Sequence, residues 1–400
     1  MKKLLLLTIF MSLLLCGCGQ EELIPPQPTT APVIQATTAP TEEPTTVPTT
    51  EPAPVYINPL TGVEVEEPFT SRPFAFTIGN NRESFPHYGV SKCDILFEAF
   101  VNGLTTRRFA MFTNIQNVES IGGVRSMRVQ WTDLCQGYDA IGVHAAGSNY
   151  VMGDMRASGI DNINGDQWNN SSFHYRDQER IKQGYSMEHC LYEMGPELLE
   201  YAKSIGMTVT TEPDKDYGMR FSETPSSLDG QTANELTVNF KLSRRQKPTI
   251  LTYDPSTKCY QMAQYENIPM VDGYYNNEPE LYKNIFALLM PYHTESGIYH
   301  VCDSVGQGEG FFACEGKVIP IFWSRETNES PFTFTLTDGS PLLQGIGSSY
   351  IALATKDSEV FWDESSSLLQ EFPEETQPKV IVPVVDPTET YDPADLQVDD

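Results

Sequence analysis

Six residues between positions 98 and 148 have the types and spacing to do chemistry: Glu98, Arg107, Arg125, Arg128, His144 and Ser148. Paired N–H groups on the arginines can grip a carboxylate or a phosphate. The glutamate and the histidine can move protons, and a serine near a histidine can act as a nucleophile. In a chain of formal net charge −28, arginines set among apolar segments need a reason. Either they neutralise Glu98, Asp94 or Asp133 in a structural salt-bridge network, or they await an anionic ligand.

The local patterns suggest how these residues are held. Ser126 reads as a helix N-cap, because Met127, Trp131, Leu134 and Cys135 follow at helical spacing. Arg125 and Arg128 then lie at the positive end of that helix, just after Gly122-Gly123, where the backbone can approach a ligand closely. Glu98 interrupts the apolar run Ile95 to Val101, which has the composition of a strand covered on both faces. A carboxylate there needs a partner, and Arg107 and Arg108 are the nearest positive charges in sequence. Tyr138 to Ala146 reads as a strand that carries His144 out to Gly147-Ser148, a strand end of the kind where open α/β sheets bind ligands.

No GxSxG elbow surrounds Ser148, so a serine nucleophile has little support. The polar stretches Tyr175-Arg176-Asp177 and Glu188-His189-Cys190-Leu191-Tyr192 lack HExxH or similar spacing, so neither a metal nor another cofactor is expected.

Further elements frame this region. Phe74 to Ile78 reads as a strand, and Pro196 to Ile205 as a helix closed by Gly206. From about residue 220 the period changes to alternation, as in Leu236, Val238 and Phe240, with a hairpin turn over Tyr253 to Tyr260 and an alternating run from Phe332 to Gly339. Gly306-Gln-Gly-Glu-Gly310 reads as a hairpin turn rather than a dinucleotide loop, since no helix follows it. Trp323, after the apolar Val318 to Phe322, reads as core or interdomain packing. The expected fold is an α/β domain over 56–219 and a mostly β domain over 220–356. Six cysteines fall in this body and permit three disulfides, with Cys302 and Cys314 the best pair and free buried thiols the alternative.

The ends locate the protein. Residues 1–18 combine a basic start, an apolar run of about a dozen residues and Leu15-Cys16-Gly17-Cys18, the layout of a secretory signal ending in a lipobox with Cys18 as the lipidated residue. Lipid on Cys18 would anchor the chain to the outer face of the cell membrane. Residues 19–55 hold nine Pro, nine Thr and no Lys or Arg, a disordered stalk able to reach up to ~110 Å. Residues 357–400 hold thirteen acidic residues against Lys379 and form a disordered acidic tail. The body itself carries −13, which argues against nucleic acid as a partner.

The lipobox, Arg72-Pro73-Phe-Ala-Phe-Thr-Ile-Gly-Asn80, Thr106-Arg107, Ile121-Gly-Gly-Val-Arg-Ser126 with Arg128, Val143-His144-Ala-Ala-Gly-Ser148, Tyr175-Arg176-Asp177 and His189 with Leu191-Tyr192 together resemble the YerB-like lipoprotein family. Asp272, Asn284 and Trp323 resemble the later part of that family. The resemblance covers most of residues 57–356 and implies an N-terminal α/β domain and a C-terminal β domain, both of unknown function. Gly123 stands where the family pattern has Pro, Pro86-His87-Tyr88-Gly89 replaces a Pro-Gln-Ser-Gly-like turn, and Cys190 replaces an Asn.

Two functions follow from the residues. One is a non-catalytic envelope protein, tethered to the membrane, that binds an anionic cell-wall component or an envelope protein through Glu98, Arg107, Arg125, Arg128, His144 and Ser148. The other is a cell-wall hydrolase using His144 or Glu98 as acid or base.

Overall fold

Apolar strands dominate the chain because long runs such as Ile95 to Val101 and Asn284 to Met290 are almost entirely buried, the signature of strands covered on both faces. The computed structural model describes residues 55–363 except 104, 168–171 and 266. The signal segment, Cys18, the stalk to residue 54 and the tail from residue 364 lie outside the described residues.

In chain order the elements that matter here are β1 (Phe74–Gly79), β2 (Ile95–Asn102), β3 (Thr105–Phe112), α1 (Val129–Gly137), β4 (Ile141–His144), α2 (Asn149–Ser158), β5 (Asn162–Asn164), β6 (Leu191–Glu193) and α3 (Gly195–Ser204). They are followed by β7 (Glu235–Leu242), β8 (Arg245–Asp254), β9 (Cys259–Gln264), β10 (Asn284–Met290), β11 (Tyr299–Cys302), β12 (Gly306–Cys314), β13 (Lys317–Arg325), β14 (Ser349–Thr355) and β15 (Glu359–Trp362).

The large mixed sheet runs β13-β12-β10-β14-β2-β3-β1-β4-β5. It passes from one half of the chain to the other where β14 pairs in parallel with β2, Ser349 opposite Ile95 through Leu353 opposite Ala99. A second sheet, β9-β8-β7-β15, covers one face of it. There Phe76, Leu96, Phe100 and Ala110 meet Leu236, Val238, Phe240 and Met262 in one buried cluster. The helices α1 and α2 cover the other face, where Phe97, Phe109 and Met111 meet Met127, Trp131, Leu134, Val151 and Met155. Phe109 stacks on Trp131 with centroids 5.1 Å apart.

Side chains alternate faces along a strand, and this decides where the charges go. Arg108 lies opposite Glu98, and Arg107 lies opposite Ala99, so the two neighbouring arginines point to opposite faces. Glu98 and Arg108 face the second sheet. Lys247 Nζ donates to Glu98 at 2.7 Å, and Arg108 Nη1 donates to Glu280 Oε2 at 2.8 Å. Glu98, Arg108 and Glu280 have no exposed surface. His87 sits beside the second pair, donating from Nε2 to Gly79 O at 2.6 Å and accepting from Arg108 Nη1 at 3.1 Å. Burial and the Arg108 charge hold its imidazole below the usual value, so it is neutral.

Several expectations are corrected. The helix begins at Val129 with Arg128 as N-cap, rather than with Ser126. The strand after it spans only Ile141–His144, since Tyr138 closes α1 and Asp139 turns with φ of 49°. Gly306 to Gly310 is the extended start of β12, paired along β13, and makes no turn. All six body cysteines are free, Cys302 and Cys314 included, and both of these are buried in separate strands. Residues 357–363 belong to the body, because β15 pairs with β7 from Leu236 opposite Trp362 to Asn239 opposite Glu359.

One charge on α1 has a cost. Burial raises the Asp133 carboxyl to about 6, with Arg325 opposing and Asp154 and Glu295 adding to the rise. A folded value above the unfolded one means the folded state binds the proton more tightly, so stability falls as pH rises from about 4 to 6 and stays lower above. Asp133→Asn is therefore expected to raise stability at pH 7.5 by about 1–2 kcal/mol and to give no gain at pH 4. Urea unfolding at both pH values measures this, and an equal effect at the two would disprove the assignment.

Candidate functional site

The site begins where two parallel strands part. β1 and β4 pair from Phe74 opposite Ile141 to Phe76 opposite Val143, and beyond that the segment 121–127 enters between them. Arg125 N donates to Thr77 O at 2.8 Å and Gly79 N to Gly123 O at 3.1 Å on the β1 side. On the β4 side Ala145 N donates to Arg125 O and Met127 N to Ala146 O. The carboxyl ends of β1, β4 and β5, which run parallel, are the usual ligand position in an open α/β sheet.

The Gly122-Gly123 pair lets this segment lie flat against β6 and the turn before it. A Cβ on Gly122 would come 2.5 Å from Leu191 O, and one on Gly123 would come 2.6 Å from His189 O. Either contact would push the backbone away, so glycine here is a condition of bringing Glu188 and His189 next to Arg125.

Three arginines converge at this point from three elements. Arg107, at the start of β3, donates from Nη1 to Ser126 O at 2.5 Å. Arg128, the N-cap of α1, donates from Nη1 to the next carbonyl, Met127 O, at 2.8 Å, and its guanidinium lies 5.1 Å from the ring centre of Tyr299. Arg125 donates from Nη2 to Glu188 Oε2 at 3.0 Å and from Nη1 to His189 Nδ1 at 2.7 Å.

The electrostatics of the group are uneven. Burial, then the Arg128 and Arg125 charges, hold the Arg107 guanidinium well below its usual value. Burial lowers Arg128 to about 10. His189, buried and facing Arg125, is lowered to about 4 and is therefore neutral at physiological pH, accepting a hydrogen bond from Arg125. Among the described residues, Glu188 is the one carboxylate in an ion pair with any of the three arginines. Arg107 and Arg128 have none, and Arg128 Nε is buried without a partner. Each guanidinium carries five donors, so most of the donor capacity of these two is unused among the described residues.

Glu98 is not part of this group. It lies on the opposite face of the sheet and accepts from Asn80, Thr106, Lys247, Gln264 and Tyr350. Asp94 is occupied by Thr113 and Asn58, and neither Asp94, Glu98 nor Asp133 pairs with Arg125 or Arg128. His144 adjoins the site but is fully buried. Its Nδ1 donates to Ala146 O at 2.7 Å, and its Nε2 lies 3.2 Å from the Asn162 amide. Ser148 is the N-cap of α2 and accepts from Val151 N at 3.4 Å. The structure thus brings Arg107, Arg125 and Arg128 together, engages His144 with Ala146 and Asn162 and Ser148 with the start of α2, and puts Glu98 on the opposite face. His144 and Glu98, the acid or base residues of the hydrolase reading, lie on strands three spacings apart in the sheet, about 14 Å.

Glu188, His189 and Tyr299 complete the site. His189 lies in a stretch that sequence could only weigh as metal ligands. Tyr299 carries no signal in the sequence, since it arrives from a hairpin about 170 residues downstream. It reaches the site because it pairs with Asn102 at the end of β2.

Comparison with known proteins places the chain in a family. The description "Protein of unknown function (DUF3048) N-terminal domain" fits residues 60–208, and "Protein of unknown function (DUF3048) C-terminal domain" fits residues 236–351. Over 116 residues the chain is 36% identical to a protein of Bacillus subtilis (strain 168) named as a lipoprotein, YerB. That match covers 29% of this chain and 35% of the relative, about a third of its length. The crystal structure of the YerB protein from Bacillus subtilis superposes with a TM-score of 0.66 at 23% identity, covering 76% of this chain and 99% of that one, a likeness of fold. The chain belongs to the YerB-like family of lipoproteins of unknown function, in which the two DUF3048 domains follow one another.

Proposed function

We propose that this lipoprotein is held by lipid on Cys18 at the extracytoplasmic face of the membrane and is a non-catalytic binding protein for an anionic ligand of the cell envelope. The ligand is a cell-wall component or an acidic group on an envelope protein. Arg107, Arg125 and Arg128 are its binding residues. The observation that carries this reading is the convergence of three guanidinium groups on one strand end with a single paired carboxylate among them. Buried charge is usually paired, as Glu98 and Arg108 are in the same protein, and the buried Arg180 and Arg325, which have no carboxylate, spend several donors on backbone carbonyls instead. Among the described residues no helix is long and apolar enough to cross a membrane, and lipid anchoring requires none.

The test is calorimetric titration of the full chain with pyrophosphate, inorganic phosphate and citrate. At least one of these anions is expected to bind, and Arg125→Ala and Arg128→Ala are each expected to weaken that binding about tenfold or more. Their melting temperatures should stay within a few degrees of the parent. Variants that unfold, or that bind as the parent does, would make the cluster structural.

A further inference from the structure

The form of the arginine cluster narrows the ligand, on the premise that the site binds an anion at all. Three anchor points surround it. Arg107 is rooted on β3 and Arg128 on the N-cap of α1, and they are seated on the successive carbonyls of Ser126 and Met127. Arg125 is rooted on the inserted segment and held from the far side by His189 and Glu188. A ligand touched by all three must present acceptor oxygens in three directions. A carboxylate has two oxygens in one plane, which suits one guanidinium fork or a bridge between two. A terminal phosphoryl group has three oxygens arranged tetrahedrally and a charge of about −1.5 to −2 at neutral pH. That charge corresponds to the two guanidinium groups, Arg107 and Arg128, that have no carboxylate of their own. Glu188 and, 3.6 Å from His189, Glu83 stand beside Arg125 and offset part of its charge, so the positive potential is centred on Arg107 and Arg128.

We propose that the site takes the phosphoryl group of a phosphate monoester in preference to a carboxylate. Arg107 and Arg128 bind it between them, Arg125 closes the third side, and the Tyr299 ring, stacked on Arg128, covers the flank contributed by the C-terminal half. Neutral His189 keeps the Arg125 guanidinium oriented without adding charge, and the Ser84 hydroxyl lies 3.2 Å from the same imidazole nitrogen.

The test titrates the full chain with glycerol 3-phosphate, inorganic phosphate, acetate and succinate. The two phosphates are expected to bind at least tenfold more tightly than either carboxylate. Arg128→Lys, which keeps the charge and loses the planar fork, is expected to weaken phosphate binding about tenfold. Vesicles of phosphatidylcholine with and without phosphatidic acid distinguish a membrane headgroup from a soluble or polymer-borne ester, and the difference between the two preparations removes partitioning through the anchor. Carboxylates bound as tightly as phosphates would overturn this inference while leaving an anion-binding site in place. Binding of neither kind of anion would overturn both.

Discussion

Glu98→Ala is expected to destabilise the protein by about 3–5 kcal/mol, because it leaves the Lys247 ammonium, 6% exposed, buried without a counter-charge. The carboxylate lies between the two sheets. Oε1 accepts from Asn80, Thr106 and Lys247, and Oε2 from Gln264 and Tyr350, so five donors lose their acceptor at once. Denaturant unfolding measures the loss, and a change below about 1 kcal/mol would contradict this account. Combining Glu98→Ala with Lys247→Met should recover much of the loss, because a missing pair costs far less than half of one. The pH dependence has a definite sign. Burial alone would raise the Glu98 carboxyl, but the Lys247 and Arg108 charges outweigh it and hold it below its ordinary value of 4.5. Its contribution is therefore complete above pH 4.5 and is lost as the pH falls below that, so the gap between parent and variant should narrow under acid.

Residues 56–219, expressed alone, are expected to remain unfolded although they contain the whole N-terminal family domain. In the complete chain β2 is hydrogen-bonded on one side to β14, which lies more than 240 residues later. Removing the second half exposes that edge, uncovers the face formed by Phe76, Leu96, Phe100 and Ala110, and strips Glu98 of Lys247 and Arg108 of Glu280. An unpaired central strand edge and a bared apolar face, with the cross-sheet ion pairs gone, exceed the stability of a domain of this size. Circular dichroism and a thermal melt test the expectation, and mixing this half with residues 220–363 should restore a cooperative transition. A cooperatively folded N-terminal half would show that the shared sheet is dispensable.

Much of the architecture was legible without coordinates because it depends on local pattern. The strands at Phe74 and Ile95, the helix at Gly195–Ser204, the hairpin turn near Tyr253 and the buried Trp323 all follow from periodicity, turn residues and side-chain size. The pattern puts the N-cap of α1 two residues early because Ser126 looks like a cap. Its carbonyl instead receives Arg107, a contact with no sequence signature.

The sequence by itself determined which residues were available. It marked the arginines after the glycine pair, the misplaced carboxylate in an apolar strand and the histidine at a strand end. Only the tertiary structure decided how they are partitioned. Strand alternation puts Arg107 and Arg108 on opposite faces, and strand register puts Glu98 with Arg108. The second sheet then supplies Lys247 and Glu280 to satisfy that face, while Glu188, His189 and Tyr299 arrive at the other from distant segments. Pairing between strands far apart in the chain is set by global packing, so a one-residue step along a strand can separate a satisfied structural charge from one still open to a ligand.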